Sequence, residues 1–159
     1  MKKISYLLIA VTALVLQSCT IISLPAAKPE IGKATIKGAT VYKYLVSAQY
    51  SYVLGADGKL FKTGTGSKQI AAGKRRLALG ASHAAGLQSF AEVVVNLESG
   101  KQYLVTADSV AKGCEYKVLE LPEKKEIAYA LGEYVSGYGI QSPAGSVQGY
   151  WVAKGWTPE

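Results

Sequence analysis

The chain has one histidine, two cysteines, one methionine and two phenylalanines in 159 residues. Each shortage removes a class of function. His83, Cys19 and Cys114 are too few to complete the nitrogen and sulfur ligand set of a zinc site. Asp57 and Asp108 stand apart, so no oxygen-rich calcium loop is written here. Gly55, Gly58, Gly64 and Gly66 lack the ordered lysine and hydroxyl of a phosphate loop. No apolar run reaches the roughly 20 residues of a bilayer span. Neither metal nor cofactor is expected.

Catalytic groups are equally sparse. His83 sits in a small-residue stretch, Ala81-Ser82-His83-Ala84-Ala85-Gly86. A hydrolase would have to pair it with Cys114 or a serine and with an acid such as Asp108 or Glu115. Ser82 is merely adjacent to it and is not presented by a strand-turn-helix motif. The expectation is a non-enzymatic protein with no catalytic residue.

The N-terminus carries the clearest message. Lys2 and Lys3 precede an almost wholly apolar run from Ile4 to Leu16, the charged and apolar regions of a secretory signal. Leu16-Gln17-Ser18-Cys19 follows, and this resembles the lipobox of bacterial lipoproteins. The resemblance implies cleavage before Cys19, lipid on its sulfur and an acylated new N-terminus. Residues 1–18 would then be the signal peptide. Each buried methylene contributes about 0.8 kcal/mol, and two or three chains make release slow where one does not. Thr20 stands where that family places aspartate to retain a protein in the inner membrane. The implied location is the outer membrane, with the domain facing the periplasm and held through lipid on Cys19.

Removing residues 1–18 from 159 leaves 141, the size of one domain. Residues 19–33, with Pro25, Pro29, Ala26 and Ala27, read as lipidated N-terminus and tether, and 34–159 as the folded domain. Loss of Lys2 and Lys3 lowers the formal charge from +7 to +5. The cations are spread along the chain, as solubility requires. The densest group, Lys74-Arg75-Arg76, alternates in direction on a strand and cannot form a one-sided comb. No nucleic-acid-binding motif is present. With Cys19 lipidated, Cys114 has no partner in its own chain. Burial as a small apolar residue and pairing between chains both remain open for it.

Strand periodicity runs through most of the body. Tyr50, Tyr52 and Leu54 fall on one side of a strand and Ser51 and Val53 on the other. Asp57-Gly58 signals a type I′ hairpin into Leu60 and Phe61. A loop at 63–67, a turn at Gly73 and a strand over 75–80, with Leu77 and Leu79 on one face, come next. Residues 81–89 read as a loop. Ala91, Val93, Val95 and Leu97 alternate cleanly, and Ser99-Gly100 turns the chain into 102–107. A strand over 115–121 places Tyr116 and Val118 beside Cys114. From Pro122 two readings fit. Ile127, Leu131, Tyr134 and Val135 make a helical face, whereas Ile127, Tyr129 and Leu131 alternate as a strand. The acidic first turn after proline favours a short helix near 122–136. Tyr150-Trp151-Val152 reads as a closing strand.

Short strands separated by glycine turns predict a mainly β fold, a single antiparallel β-sandwich or small barrel. Asp57-Gly58, Ile70-Ala71-Ala72-Gly73-Lys74, Leu77, Leu79 and Gly100-Lys101-Gln102-Tyr103 resemble envelope lipoproteins with a PEGA-like or transthyretin-like sandwich, over about residues 41–121. These motifs encode turns and core faces, so they imply fold rather than activity.

Without the signal, ten tyrosines stand against two phenylalanines. Tyr134, Tyr138, Tyr150, Trp151 and Trp156 gather in the last third, either as a binding surface or as the packing of closing strands. The expected partners are an envelope protein, peptidoglycan or lipopolysaccharide, with the chain serving as a binding or assembly module. A periplasmic inhibitor of a wall-degrading enzyme is the second reading. A basic inhibitor would repel a basic lysozyme, which counts against it.

Overall fold

The computed structural model describes residues 30–43, 47–83, 87–135 and 149–159. Residues 1–18, Cys19, most of 19–33 and Tyr138 lie outside them. The fold is mainly β, with eleven strands in one sheet: β1 (Lys33–Gly38), β2 (Thr40–Lys43), β3 (Ser47–Ala56), β4 (Lys59–Leu60), β5 (Lys68–Ala71), β6 (Gly73–His83), β7 (Gln88–Leu97), β8 (Gln102–Val110), β9 (Gly113–Leu121), β10 (Lys125–Val135) and β11 (Thr157–Pro158). Their spatial order is β11-β4-β3-β6-β7-β10-β9-β8-β1-β5, with β2 on β3.

The expectation of a purely antiparallel sheet needs correction. The sheet is mixed, because β1 runs parallel to β8 and β11 parallel to β4. It also curls. The consecutive strands β4 and β5 stand near its two ends in the order, yet the Lys68 Nζ lies 5.3 Å from the centre of the Phe61 ring just after β4. A second link sits between β1 and β2. Ala39 donates its N–H to the Val105 carbonyl at 2.8 Å, and its own carbonyl accepts the Ser51 N–H at 2.9 Å. The Ser51 hydroxyl donates to Val105 O at 2.7 Å. Strands β3 and β8, far apart in the order, are thus stitched through one residue.

Alternation sorts the side chains to either side of this curl. The inner face carries Ala34, Ile36, Val53, Leu77, Leu79, Ala91, Val93, Val95, Leu97, Tyr103, Val105, Tyr116 and Val118 in one buried cluster. Their neighbours Leu54, Ala78 and Phe90 lie on the outer face in a second cluster with Leu60, Trp151 and Trp156. Burying such side chains contributes about 1.5–3 kcal/mol each.

Several turns match the sequence reading. Asp57 and Gly58 have φ of 50° and 86°, as the I′ hairpin demands. Gly73 and Gly100 turn at φ of 106° and 79°. Three expectations are overturned. The short helix near 122–136 is strand β10, paired with β9 from Lys125↔Glu120 to Glu133↔Gly113. Gly132, poor in a helix, packs there against the Phe90 carbonyl and the Tyr116 ring, where no Cβ would fit. The expected loop at 81–89 is mostly strand, because Ala81, Ser82 and His83 extend β6, and Gln88 and Ser89 open β7. Ala81↔Ser89 and Ser82↔Gln88 continue the β6–β7 ladder. Conversely, Tyr150-Trp151-Val152 is not a strand but belongs to a helical turn, α1 (149–153).

Candidate functional site

Tyr150, Trp151 and Trp156 meet on the outer face of β3, β6 and β7. Trp151 and Trp156 are 1 % and 2 % exposed, with ring centres 5.2 Å apart and edge to face. Phe90 stacks on Tyr150 at 4.4 Å and meets Trp151 edge-on at 6.3 Å. The helical turn α1 delivers Tyr150 and Trp151, and the backbone then folds back so that Trp156 N–H bonds Trp151 O at 3.0 Å. Gly55 leaves the space this requires, since a Cβ there would lie 3.1 Å from the Trp156 ring. The terminus is fastened by Thr157 N–H to Gly58 O at 2.8 Å and Glu159 N–H to Leu60 O at 3.0 Å.

Of the candidate surface residues, Trp151 and Trp156 are buried rather than surface-exposed, and Tyr138 lies outside the described residues. Trp151 and Trp156 are core residues that seal the outer face of the sheet. Tyr150 is half-buried, with the Lys154 ammonium 5.2 Å from its ring centre. Tyr134 packs instead against the inner cluster. The exposed aromatic pair that sequence reasoning did not single out is on β3. Tyr50 and Tyr52 stack 6.4 Å apart at 20°, as i and i+2 on one strand face allow, and Tyr50 is 39 % exposed.

Cys114 is a free, buried cysteine on β9. It accepts a hydrogen bond from Gln49 Nε2 at 3.4 Å, and Gln49 Oε1 accepts the Ser109 hydroxyl at 3.0 Å. Burial pushes the Cys114 thiol up, so the reactive thiolate is disfavoured. The backbone of His83 ends β6, opposite Gln49. Tyr116, fully buried, donates its hydroxyl to Ser89 O at 2.6 Å, and burial pushes its phenol up too. Among the described residues no group of three or more His, Cys, Asp or Glu side chains is placed to hold a metal ion.

The cations are arranged more informatively. Arg75 lies against the β5–β6 turn, donating to Asp57 Oδ2 at 3.0 Å and to the carbonyls of Ala71 and Ala72 at 2.7 Å each. Arg76 points outward, with its guanidinium carbon 5.0 Å from the Trp156 ring centre. The Arg76 N–H donates to Asp57 at 3.0 Å, and this bond, with the Arg75 guanidinium, holds the Asp57 carboxyl below its ordinary value. Lys59, Lys62 and Lys74 are exposed. Comparison with protein families, curated proteins and solved structures finds no match for this chain.

Proposed function

We propose that the protein is an outer-membrane lipoprotein whose non-enzymatic β domain faces the periplasm and acts as a binding or assembly module of the cell envelope. The single observation that carries this reading is Leu16-Gln17-Ser18-Cys19 behind a lysine-led apolar run. The kinship with PEGA-like or transthyretin-like sandwich modules belongs to the same proposal, resting on turns and core faces such as Asp57-Gly58, Gly73 and Leu77. A buried Cys114 with a raised thiol pKa supports a binding role over nucleophilic chemistry. Tyr50, exposed and stacked on half-buried Tyr52, offers a surface of the kind envelope polymers and partner proteins use.

The test is fractionation of cells producing the native chain and Cys19→Ala. The native chain is expected in outer-membrane fractions as a shortened form, and the variant as uncleaved precursor. Normal processing of the variant would overturn the reading. Co-sedimentation of the native protein with peptidoglycan or lipopolysaccharide then separates polymer binding from assembly with another protein.

A further inference from the structure

Cations that are spread along the sequence are gathered by the fold. Residues 30–38 and 57–76, which form β1, β4, β5, the start of β6 and their turns, hold eight lysines and arginines against two carboxylates. The span 88–135, forming β7 to β10, holds five against eight. The basic elements are brought together because β5 pairs with β1 while the short connection through Phe61 and Thr63 ties β5 to β4. Lys68 reaches from β5 across to the Thr63 hydroxyl at 3.0 Å and to the Phe61 ring. The wall built of these elements is therefore basic, even with Glu159 beside Leu60 and Lys68 as a further carboxylate. The strands β7 to β10, which adjoin it through β6–β7 and β1–β8, are mildly acidic.

The entry of the chain is on the same wall. β1 begins at Lys33 beside Ala71 of β5. Gly32 O accepts the Ala72 N–H at 2.9 Å, next to Gly73 and Lys74. Eleven residue steps separate Cys19 from Glu30, a reach of at most about 40 Å. A lipid on Cys19 would thus keep this wall within a tether's length of the headgroups. Such confinement raises the local concentration of any weak partner on that surface.

We propose that the basic wall, led by exposed Lys59, Lys62 and Lys74, seats the domain against anionic phospholipid headgroups of the membrane that anchors it. This rests on the anchoring reading above. The wall supplies the electrostatic second signal that accompanies a lipid chain at anionic surfaces. The mildly acidic strands β9 and β10 are then left to envelope partners.

The experiment is lysine footprinting of the full native protein in vesicles, with acetylation at each lysine read by mass spectrometry. Phosphatidylglycerol vesicles are compared with phosphatidylcholine vesicles. Lys59, Lys62 and Lys74 are expected to label about fivefold more slowly on the anionic lipid, the factor equivalent to one cation held at such a surface. Lys112, exposed in the turn between β8 and β9, is expected to label alike on both. Protection should vanish in 1 M salt, where the screening length is about 3 Å. Equal labelling on both lipids, with the protein still floating with the vesicles, would overturn the seating and leave the anchor standing. Failure to float with either lipid would overturn both. Protection by heparin, used as a soluble polyanion, but not by anionic vesicles would overturn the seating in favour of a polymer.

Discussion

Arg76 and Trp156 join the C-terminus to the sheet: the guanidinium carbon stands 5.0 Å from the indole centre, and Trp156 is 2 % exposed beneath it. The cation covers the ring that closes the outer cluster of Leu54, Leu60, Ala78 and Phe90. Trp156→Ala should lower unfolding free energy by about 3–5 kcal/mol, the range for emptying a large aromatic site. Arg76→Met should cost only about 0.5–1 kcal/mol, the worth of an exposed cation–π contact. Urea unfolding of both variants checks the ranking. A tryptophan variant as stable as the parent would show that the terminus is not part of the core.

The Asp57 carboxyl gives the domain a small acid dependence. Its pKa is lowered, first by the Arg76 N–H and then by the Arg75 guanidinium. The folded value lies below the unfolded one, so the contribution is full above about pH 4 and is lost as pH falls through the folded value. The side chain is 45 % exposed, and solvent screening limits the effect to under about 1 kcal/mol. Asp57→Asn preserves the I′ turn, because asparagine also tolerates positive φ. Thermal unfolding should find the variant slightly less stable at neutral pH and equal to the parent near pH 2. A gap that widens towards acid would contradict the assignment.

Cys114 should behave as an inert thiol. It is buried, its pKa is raised by that burial, and Gln49 donates to its sulfur. In the native protein a maleimide should label it orders of magnitude more slowly than in denaturant, with the rate still rising about tenfold from pH 7 to pH 8 because the thiol stays well below its raised pKa. Rapid native labelling would show that the inner face opens on the experimental timescale.

Ser51 is the staple between β3 and β8. Its hydroxyl donates to Val105 O and accepts the Ala39 N–H at 2.8 Å, all in a buried setting. Ser51→Ala should cost about 0.5–1.5 kcal/mol, because one hydrogen bond is lost while the Val105 carbonyl keeps the Ala39 N–H. Gly38→Ala should cost more, since its methyl would be driven into the Ser51 carbonyl. Denaturant titration with amide exchange at Ala39 and Val105 would localise the damage. Unchanged exchange there would contradict the stitching of β3 to β8.

Local pattern was legible where one strand face is buried and a turn has its own chemistry. Ala91, Val93, Val95 and Leu97, the Asp57-Gly58 turn and the Tyr116–Val118 face all lie where alternation puts them. What was not legible depends on distant pairing. The parallel contact of β1 with β8 leaves no local mark on Lys33–Gly38 beyond alternating Ala34 and Ile36. At 122–136 helical and strand periods both fit, and the ladder with β9 decides. The tryptophans left two readings, surface and packing, because composition does not say which side of a sheet they cover. A five-residue helical turn carries Trp151 inward, and Gly55 makes room for Trp156. The basic wall was invisible for the same reason, since it exists only after β5 pairs with β1.

The central claim is that Cys19 is the lipidated N-terminus. The most direct measurement is the mass of the N-terminal peptide from protein purified out of native envelopes. The account predicts a peptide beginning at Cys19 and carrying diacylglyceryl on sulfur and acyl on nitrogen. A peptide beginning at Met1, or an unmodified Cys19, would contradict it.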